Sequence, residues 1–219
     1  MNSPLIQLLV LAGIAVFLIL RLKNVLGTRE GFEQPPAPKQ VSERSGKHDF
    51  EVIEGGPDLD ITDHVDEDSN AAKALAEMKR VEPSFQVSDF LQGARGAYEM
   101  IVMGYEQGDL ADIQPFLSEE IYESFVDGVA AREDQGLTIE AEFIGVRELK
   151  LMDATFDPET GEGELTIRYV AELKSAVRDQ GGDIVEGSLT EVKRQKDTWA
   201  FARTMGANDP NWLLVSTDA

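Results

Sequence analysis

Residues 164–173 read ELTIRYVAEL, and the alternation inside them decides the fold. Leu165, Ile167, Tyr169, Ala171 and Leu173 fall on one parity, and Thr166, Arg168 and Glu172 fall on the other. Successive side chains of a β-strand point to opposite faces, so a period of two predicts a strand with one face in a core and the other in water. Upstream, Ile139, Ala141 and Phe143 alternate with Glu140 and Glu142. That strand is expected to continue, through a bend or bulge near Gly145, towards Phe156. DPETGEG (157–163) reads as a hairpin turn between the two strands, and DQGG (179–182) as a second turn. Two further strands are expected near Ile184–Arg194 and Trp199–Met205, separated by a short turn around Lys196 and Asp197. Arg168 is expected to pair with a cross-strand Glu.

Before the strands the period is helical. Phe90, Leu91, Ala94, Ala97, Tyr98, Ile101, Val102 and Tyr105 recur at three- and four-residue steps, which makes one buried stripe. Ser88 is a plausible N-cap for this helix, which runs to Gln107 and stops at Gly108. Asp109–Pro115 reads as a brief turn. A further helix, from about Ser118 to Gln135, carries Ile121, Tyr122, Phe125 and Val129 on one face and ends at Gly136. SNAAKALAEMKRVE (69–82) predicts a short linker helix within residues 69–83, stopped by Pro83. Helices followed by an antiparallel meander of about four strands give an α+β domain with the helices on one face of the sheet.

The chain ahead of these elements changes character twice. Residues 27–48 are polar, with Pro35, Pro36 and Pro38 close together, and residues 49–68 carry nine carboxylates and no Lys or Arg. Such composition does not bury enough apolar surface to offset chain entropy, so residues 27–68 read as a flexible tether. As a coil its ends would lie ~35–40 Å apart. An EF-hand beginning at Asp58 fails, because its fifth, sixth and twelfth positions are Thr62, Asp63 and Ser69.

Residues 5–27, LIQLLVLAGIAVFLILRLKNVLG, are uncharged from Leu5 to Leu20. A helix of about 20 apolar residues crosses a hydrocarbon core, and it satisfies its own backbone where water is absent. Residues 1–26 therefore read as a transmembrane anchor that meets the bilayer through residues 4–22. A cleaved signal would want a basic segment before the apolar run and a small-residue cleavage site after it, and neither is seen. Arg21, Lys23 and Arg29 follow the span, which by the positive-inside rule places the N-terminus out and the rest of the chain in the cytoplasm at the inner membrane.

Composition narrows the chemistry. The chain has no cysteine, which removes disulfides and thiolate sites. Its 41 acidic against 20 basic residues, a formal net charge of −21, speak against tracking a nucleic-acid backbone. Both histidines, His48 and His64, fall in the expected tether. No G-x-S-x-G and no Gly-rich phosphate loop occurs. Asp153, Tyr98, Tyr105, Tyr122, Tyr169 and Arg168 remain as titratable candidates. Asp153 reads as a surface acid at a strand end, and the tyrosines as core residues with their hydroxyls at the rim. No catalytic residue, metal site or cofactor is expected.

EFIGVRELKLMDATFD (142–157) and TWAFARTMGANDPNWLLVSTDA (198–219) give the chain a likeness. With the anchor and the acidic tether, they resemble the bacterial Tim44-like domain family of membrane-anchored adaptors. The most specific parts are Phe143–Gly145 and the terminal Trp199-x-Phe201-x-Arg203 … Asn211-Trp212-Leu213-Leu214. The resemblance covers roughly residues 84–219, which become the expected globular domain. It implies a nuclear-transport-factor-two-like (cystatin-like) fold, a curved antiparallel sheet wrapped by helices around an apolar pocket. It also implies a role near membranes, since mitochondrial members tether a DnaK-type chaperone motor to the inner-membrane translocase and associate with cardiolipin-rich membrane. Here the strongly acidic domain would repel anionic headgroups, which leaves Arg21, Lys23 and Arg29 as the contacts to them.

Phe125, Phe143, Ile167, Trp199, Phe201 and Trp212 are large and apolar, and a curved sheet would aim several of them into such a pocket. The expected function is a membrane-anchored adaptor that recruits a chaperone or client in protein translocation or membrane-protein assembly. One alternative is a carrier of lipid or hydrophobic peptide in the apolar pocket. An acid–base enzyme on the same fold is the other, and it needs titratable groups inside the cavity with shifted pKa values.

Overall fold

A computed structural model describes residues 57–217. The anchor expected at residues 1–26, with Arg21, Lys23 and Arg29, and the tether up to residue 56 lie outside the described residues. No helix among the described residues is long and apolar enough to cross a membrane.

The sheet forms as the alternation predicts. Strands β1 (Thr138–Phe156), β2 (Glu162–Arg178), β3 (Ile184–Thr204) and β4 (Leu213–Ser216) lie in the order β1-β2-β3-β4, antiparallel and not closed. Leu165, Ile167, Tyr169 and Ala171 of β2 are fully buried on the face that meets the helices. β1 carries register shifts at Phe143/Gly145, Val146/Glu148 and Leu151/Asp153. The first coincides with the bulge expected at Gly145, whose φ of 149° suits a residue without Cβ. The opposite face is laced by ion pairs. Glu142 meets Lys174 at 2.9 Å, Glu148 meets Arg168, and Glu172 bridges Arg147 at 2.7 Å and Arg194 at 3.0 Å. Exposed pairs of this kind add little stability, but unlike charges set opposite one another penalise a slipped register.

No turn occurs at Lys196 and Asp197, because β3 is one strand of 21 residues. Asp197 stands opposite Tyr169 on the helix-facing side and Lys196 opposite Val170 on the other. The charged pair that reads as a turn is an ordinary in-and-out alternation whose inward acid has a hydrogen-bond donor waiting for it. The fourth strand is β4, which pairs with Ala200–Ala202 near the chain's end.

Helices α1 (Leu59–Thr62), α2 (Asn70–Val81), α3 (Val87–Gln107) and α4 (Glu119–Asp134) supply the second layer, with a 3-10 turn at Gln114–Phe116 between α3 and α4. α3 ends at Gly108 with φ 75°, and α4 begins at Ser118, whose hydroxyl accepts from the Ile121 N–H. α2 is more than a linker, because Leu75 and Met78 are fully buried in the core.

α3 is not capped by Ser88. Gln86 occupies its N-cap position without a side-chain bond. The cap comes instead from Asp60, whose carboxylate accepts from the N–H groups of Val87 at 2.7 Å and Ser88 at 3.0 Å. Lys79 holds that carboxylate at 2.8 Å and Asp58 at 2.8 Å. Ile61 is buried beneath it and Val65 packs against the core. Residues 58–65, expected within the acidic tether, are therefore part of the folded unit. Burial opposes ionisation of Asp60, but the Lys79, Ser88 and Val87 hydrogen bonds outweigh it and hold its carboxyl well below the usual carboxylate range.

A depressed folded-state pKa contributes stability that is present above the unfolded value, near 4, and is lost as pH falls through the folded value. Replacing the cap, Asp60→Ala, should therefore lower stability at pH 7 by about 1–2 kcal/mol. Urea unfolding at pH 7 and pH 3 checks both parts: the variant also loses part of the acid-side decline, and an unchanged midpoint contradicts the cap.

Candidate functional site

The centre of the domain is aromatic. Tyr98 of α3 is fully buried and stacks on Tyr169 of β2, with ring centroids 4.3 Å apart and planes 20° apart. It also meets Trp199 of β3 at 4.6 Å and Phe143 of β1 at 6.1 Å, so one helix residue touches three strands. Its hydroxyl donates to Asp197 Oδ2, and Gln195 Nε2 donates to the same oxygen at 2.9 Å. Burial pushes the Tyr98 phenol up, and the Asp197 carboxylate raises it further. Tyr169 is likewise raised by burial, and its hydroxyl donates to the Ala94 carbonyl at 3.2 Å. Both phenols stay protonated donors.

A cleft lies along each half of α3. The first, of about 330 Å³, runs beside its N-terminal half and is walled by Phe85, Phe90, Phe116, Phe201 and Trp212. Its floor is small: Ala94 lines it, and a Cβ added at Gly93 would meet nothing within 4 Å. Trp212 packs on Phe90 at 4.7 Å and Phe85 at 5.9 Å. Arg203 lies over the Trp212 ring at 5.2 Å, and its side chain is only 8% exposed. That charge is balanced, because Glu82 accepts from Arg203 Nη2 at 2.8 Å and from the Gly206 N–H at 2.9 Å. Burial opposes ionisation of Glu82, but the Gly206 and Arg203 bonds hold its carboxyl below the usual range.

The second cleft, of about 320 Å³, runs beside the C-terminal half of α3. Tyr105 and Glu106 of α3, Phe125 of α4, and Asp197 and Trp199 of β3 are its principal walls. Glu106 accepts from Ser175 Oγ at 3.0 Å. Tyr105 packs on Phe125 at 4.6 Å.

The six residues expected to line one pocket are thus divided. Phe201 and Trp212 border the first cleft, and Phe125 and Trp199 the second. Ile167 is filled core, and Phe143 is half-buried against Tyr98. Of the titratable candidates, Asp153 is an exposed acid near the end of β1 and Arg168 pairs with Glu148 as expected. Tyr98 and Tyr169 are wholly interior, so their hydroxyls do not reach a rim. The missed residues are Glu82, Gly93, Glu106, Asp197 and Arg203. Parity could have found two of them, since residues 197 and 203 share the inward face of Trp199 and Phe201. No group of three or more metal-ligating side chains is placed to hold a metal among the described residues.

Helices on one face of an open antiparallel sheet, flanking a central helix with a cleft along each half, make this an α+β domain. Residues 71–219 match the family model of the Tim44-like domain, and the chain belongs to that family. The match begins within α2. The mitochondrial import inner membrane translocase subunit TIM44-1 of Arabidopsis thaliana is 20% identical over 143 residues, 65% of this chain and 30% of that protein. The chain thus spans less than a third of that relative's length. Among solved structures, the intermembrane space region of the chloroplast protein ARC6 shows a distant likeness: 11% identity, 59% of this chain, 96% of that chain, TM-score 0.41.

Loss of the Tyr98 hydroxyl, Tyr98→Phe, leaves Asp197 without its interior donor and should cost about 1.5–3 kcal/mol, the range for a hydrogen bond to a charged group. Asp197→Asn keeps an acceptor and should cost less. Denaturant unfolding of the two variants gives the order, and a Y98F protein as stable as the parent refutes the bond's contribution.

Proposed function

We propose that this protein is a membrane-anchored adaptor that holds a protein partner during translocation or membrane-protein assembly. The observation that carries this reading is a Tim44-like domain with an apolar, aromatic-walled cleft on its surface. Membership of the family supports a role in binding proteins in transport, and the Arabidopsis relative is named as an import translocase subunit. The cleft supplies a physical means. Phe85, Phe90, Phe116 and Trp212 present apolar surface beside the small floor of Gly93 and Ala94, where a partner's side chain or helix could approach the backbone of α3 closely. A single charge deep in that cleft, Arg203, is neutralised by Glu82, so apolar contacts dominate.

The helices and open sheet are read as the nuclear-transport-factor-two-like arrangement. Residues 4–22 provide the anchor and the domain works at the cytoplasmic face of the inner membrane, with Arg21, Lys23 and Arg29 at the headgroups. The partner is a chaperone or an assembly client, and binding rather than catalysis is the role of the domain. Carriage of an acyl chain in the same cleft is the competing reading, because its apolar walls suit a lipid tail as well.

A photo-crosslinking residue at position 93 of the full chain, in intact cells, separates these readings. The adaptor reading predicts protein adducts drawn from the translocation and membrane-assembly machinery. Adducts with lipid alone support the carrier and overturn the adaptor. Deleting residues 4–22 should move the chain from the membrane fraction to the soluble fraction, and a deletion variant still in the membrane removes the anchor.

A further inference from the structure

The two clefts beside α3 differ in how their charge is balanced. In the first, the buried Arg203 guanidinium has Glu82 as its counter-ion at 2.8 Å. In the second, two carboxylates face the cavity and neither has a cationic partner among the described residues. Asp197 spends Oδ2 on Tyr98 and Gln195, and Glu106 spends Oε2 on Ser175. Asp197 Oδ1 and Glu106 Oε1 take no hydrogen bond among the described residues. None of the residues that line the cavity is Lys, Arg or His. Arg132, which lies over the Tyr105 ring at 4.7 Å, donates to the Tyr105 carbonyl and forms no ion pair with either acid.

We propose that this second cleft receives a cationic side chain, the lysine or arginine of an apolar–basic segment of a protein partner. The inference rests on the protein-binding reading above and adds the partner's chemistry. Asp197 and Glu106 supply the charge, and the Tyr105, Phe125 and Trp199 rings supply the walls. Aromatic faces attract cations, and a guanidinium can stack on a ring while its N–H groups reach a carboxylate. A neutral apolar group in the same place would strip water from two carboxylates and return nothing to them, which is unfavourable. The core fixes the position of one acid, because Tyr98 holds Asp197 from inside the domain. The site is therefore built for an incoming positive charge, and the chain's own charge balance of −21 leaves no surplus of cations to fill it.

The chain has two tryptophans, so Trp212→Phe leaves Trp199, in the wall of this cleft, as the sole indole reporter. The full chain carrying W212F is titrated with an acetylated, amidated hexapeptide of sequence LRLLRL, and with its analogue in which citrulline replaces arginine. The arginine peptide is expected to shift Trp199 emission and to bind at least about tenfold more tightly than the citrulline peptide, since one charge-assisted contact is of that size. Glu106→Gln and Asp197→Asn, which keep hydrogen-bonding groups for Ser175 and Tyr98, should each weaken the arginine peptide by about tenfold and leave the citrulline peptide unchanged. Equal binding of the two peptides overturns the proposal, as does arginine-peptide binding that both substitutions leave intact, or no emission change at millimolar peptide. None of these failures bears on adducts formed from position 93, so the cation site and the adaptor reading fall separately.

Discussion

The stack of Tyr98 on Tyr169 determines where α3 lies, and both clefts follow from that placement. Each close aromatic pair adds about 0.5–1.5 kcal/mol beyond the area it buries. Tyr98 makes three such contacts, to Tyr169, Trp199 and Phe143. Its hydroxyl adds a directional bond to Asp197, and Tyr169 returns one to the carbonyl of Ala94, one turn earlier on the same helix. The helix is therefore fixed in depth and in rotation at its middle. Its N-terminal half, with Gly93 and Ala94, then borders the aromatic wall of Phe85, Phe90 and Trp212. Its C-terminal half, with Tyr105 and Glu106, borders Phe125, Asp197 and Trp199.

The sheet sets the frame for that helix. Three strands of 17 to 21 residues offer a long inner face, and the bulges in β1 bend it. Helices α2 and α3 cover that face, so the inner residues Leu165, Ile167 and Tyr169 lose water completely. On the outer face, Glu142, Glu148 and Glu172 find basic partners on neighbouring strands. The acidic excess of the chain is in this way partly spent on register. Another part is spent on α3, whose missing N-cap is supplied by Asp60 from 27 residues earlier.

Much of this was legible in the amino-acid sequence, for identifiable reasons. The alternation from Leu165 to Leu173 and the stripe from Phe90 to Tyr105 are strong periodic signals, and they gave β2 and α3 their type and their buried faces. The bulge at Gly145 and the stop at Gly108 were legible because glycine marks positive φ. Three features were not. Lys196 and Asp197 look like turn residues because nothing local announces that Asp197 has a buried tyrosine to bind. Asp60 could not be recognised as a cap, since its donors are distant in sequence and local capping rules point to Ser88. The pocket residues were chosen for size and apolarity, which do not distinguish Ile167, whose surroundings are filled, from Trp212, which borders open space. Arg203 and Asp197 escaped that criterion because they are charged, although their parity with Phe201 and Trp199 places them inside.

Amide hydrogen exchange on a Tyr98→Leu variant tests the central claim most directly. If the aromatic stack is what fixes α3, amides from about residue 93 to residue 106 lose protection together, on both sides of the substitution, while the amides that pair β1, β2 and β3 keep theirs. Loss confined to the turn that contains residue 98, with Gly93 and Glu106 as protected as before, would contradict it.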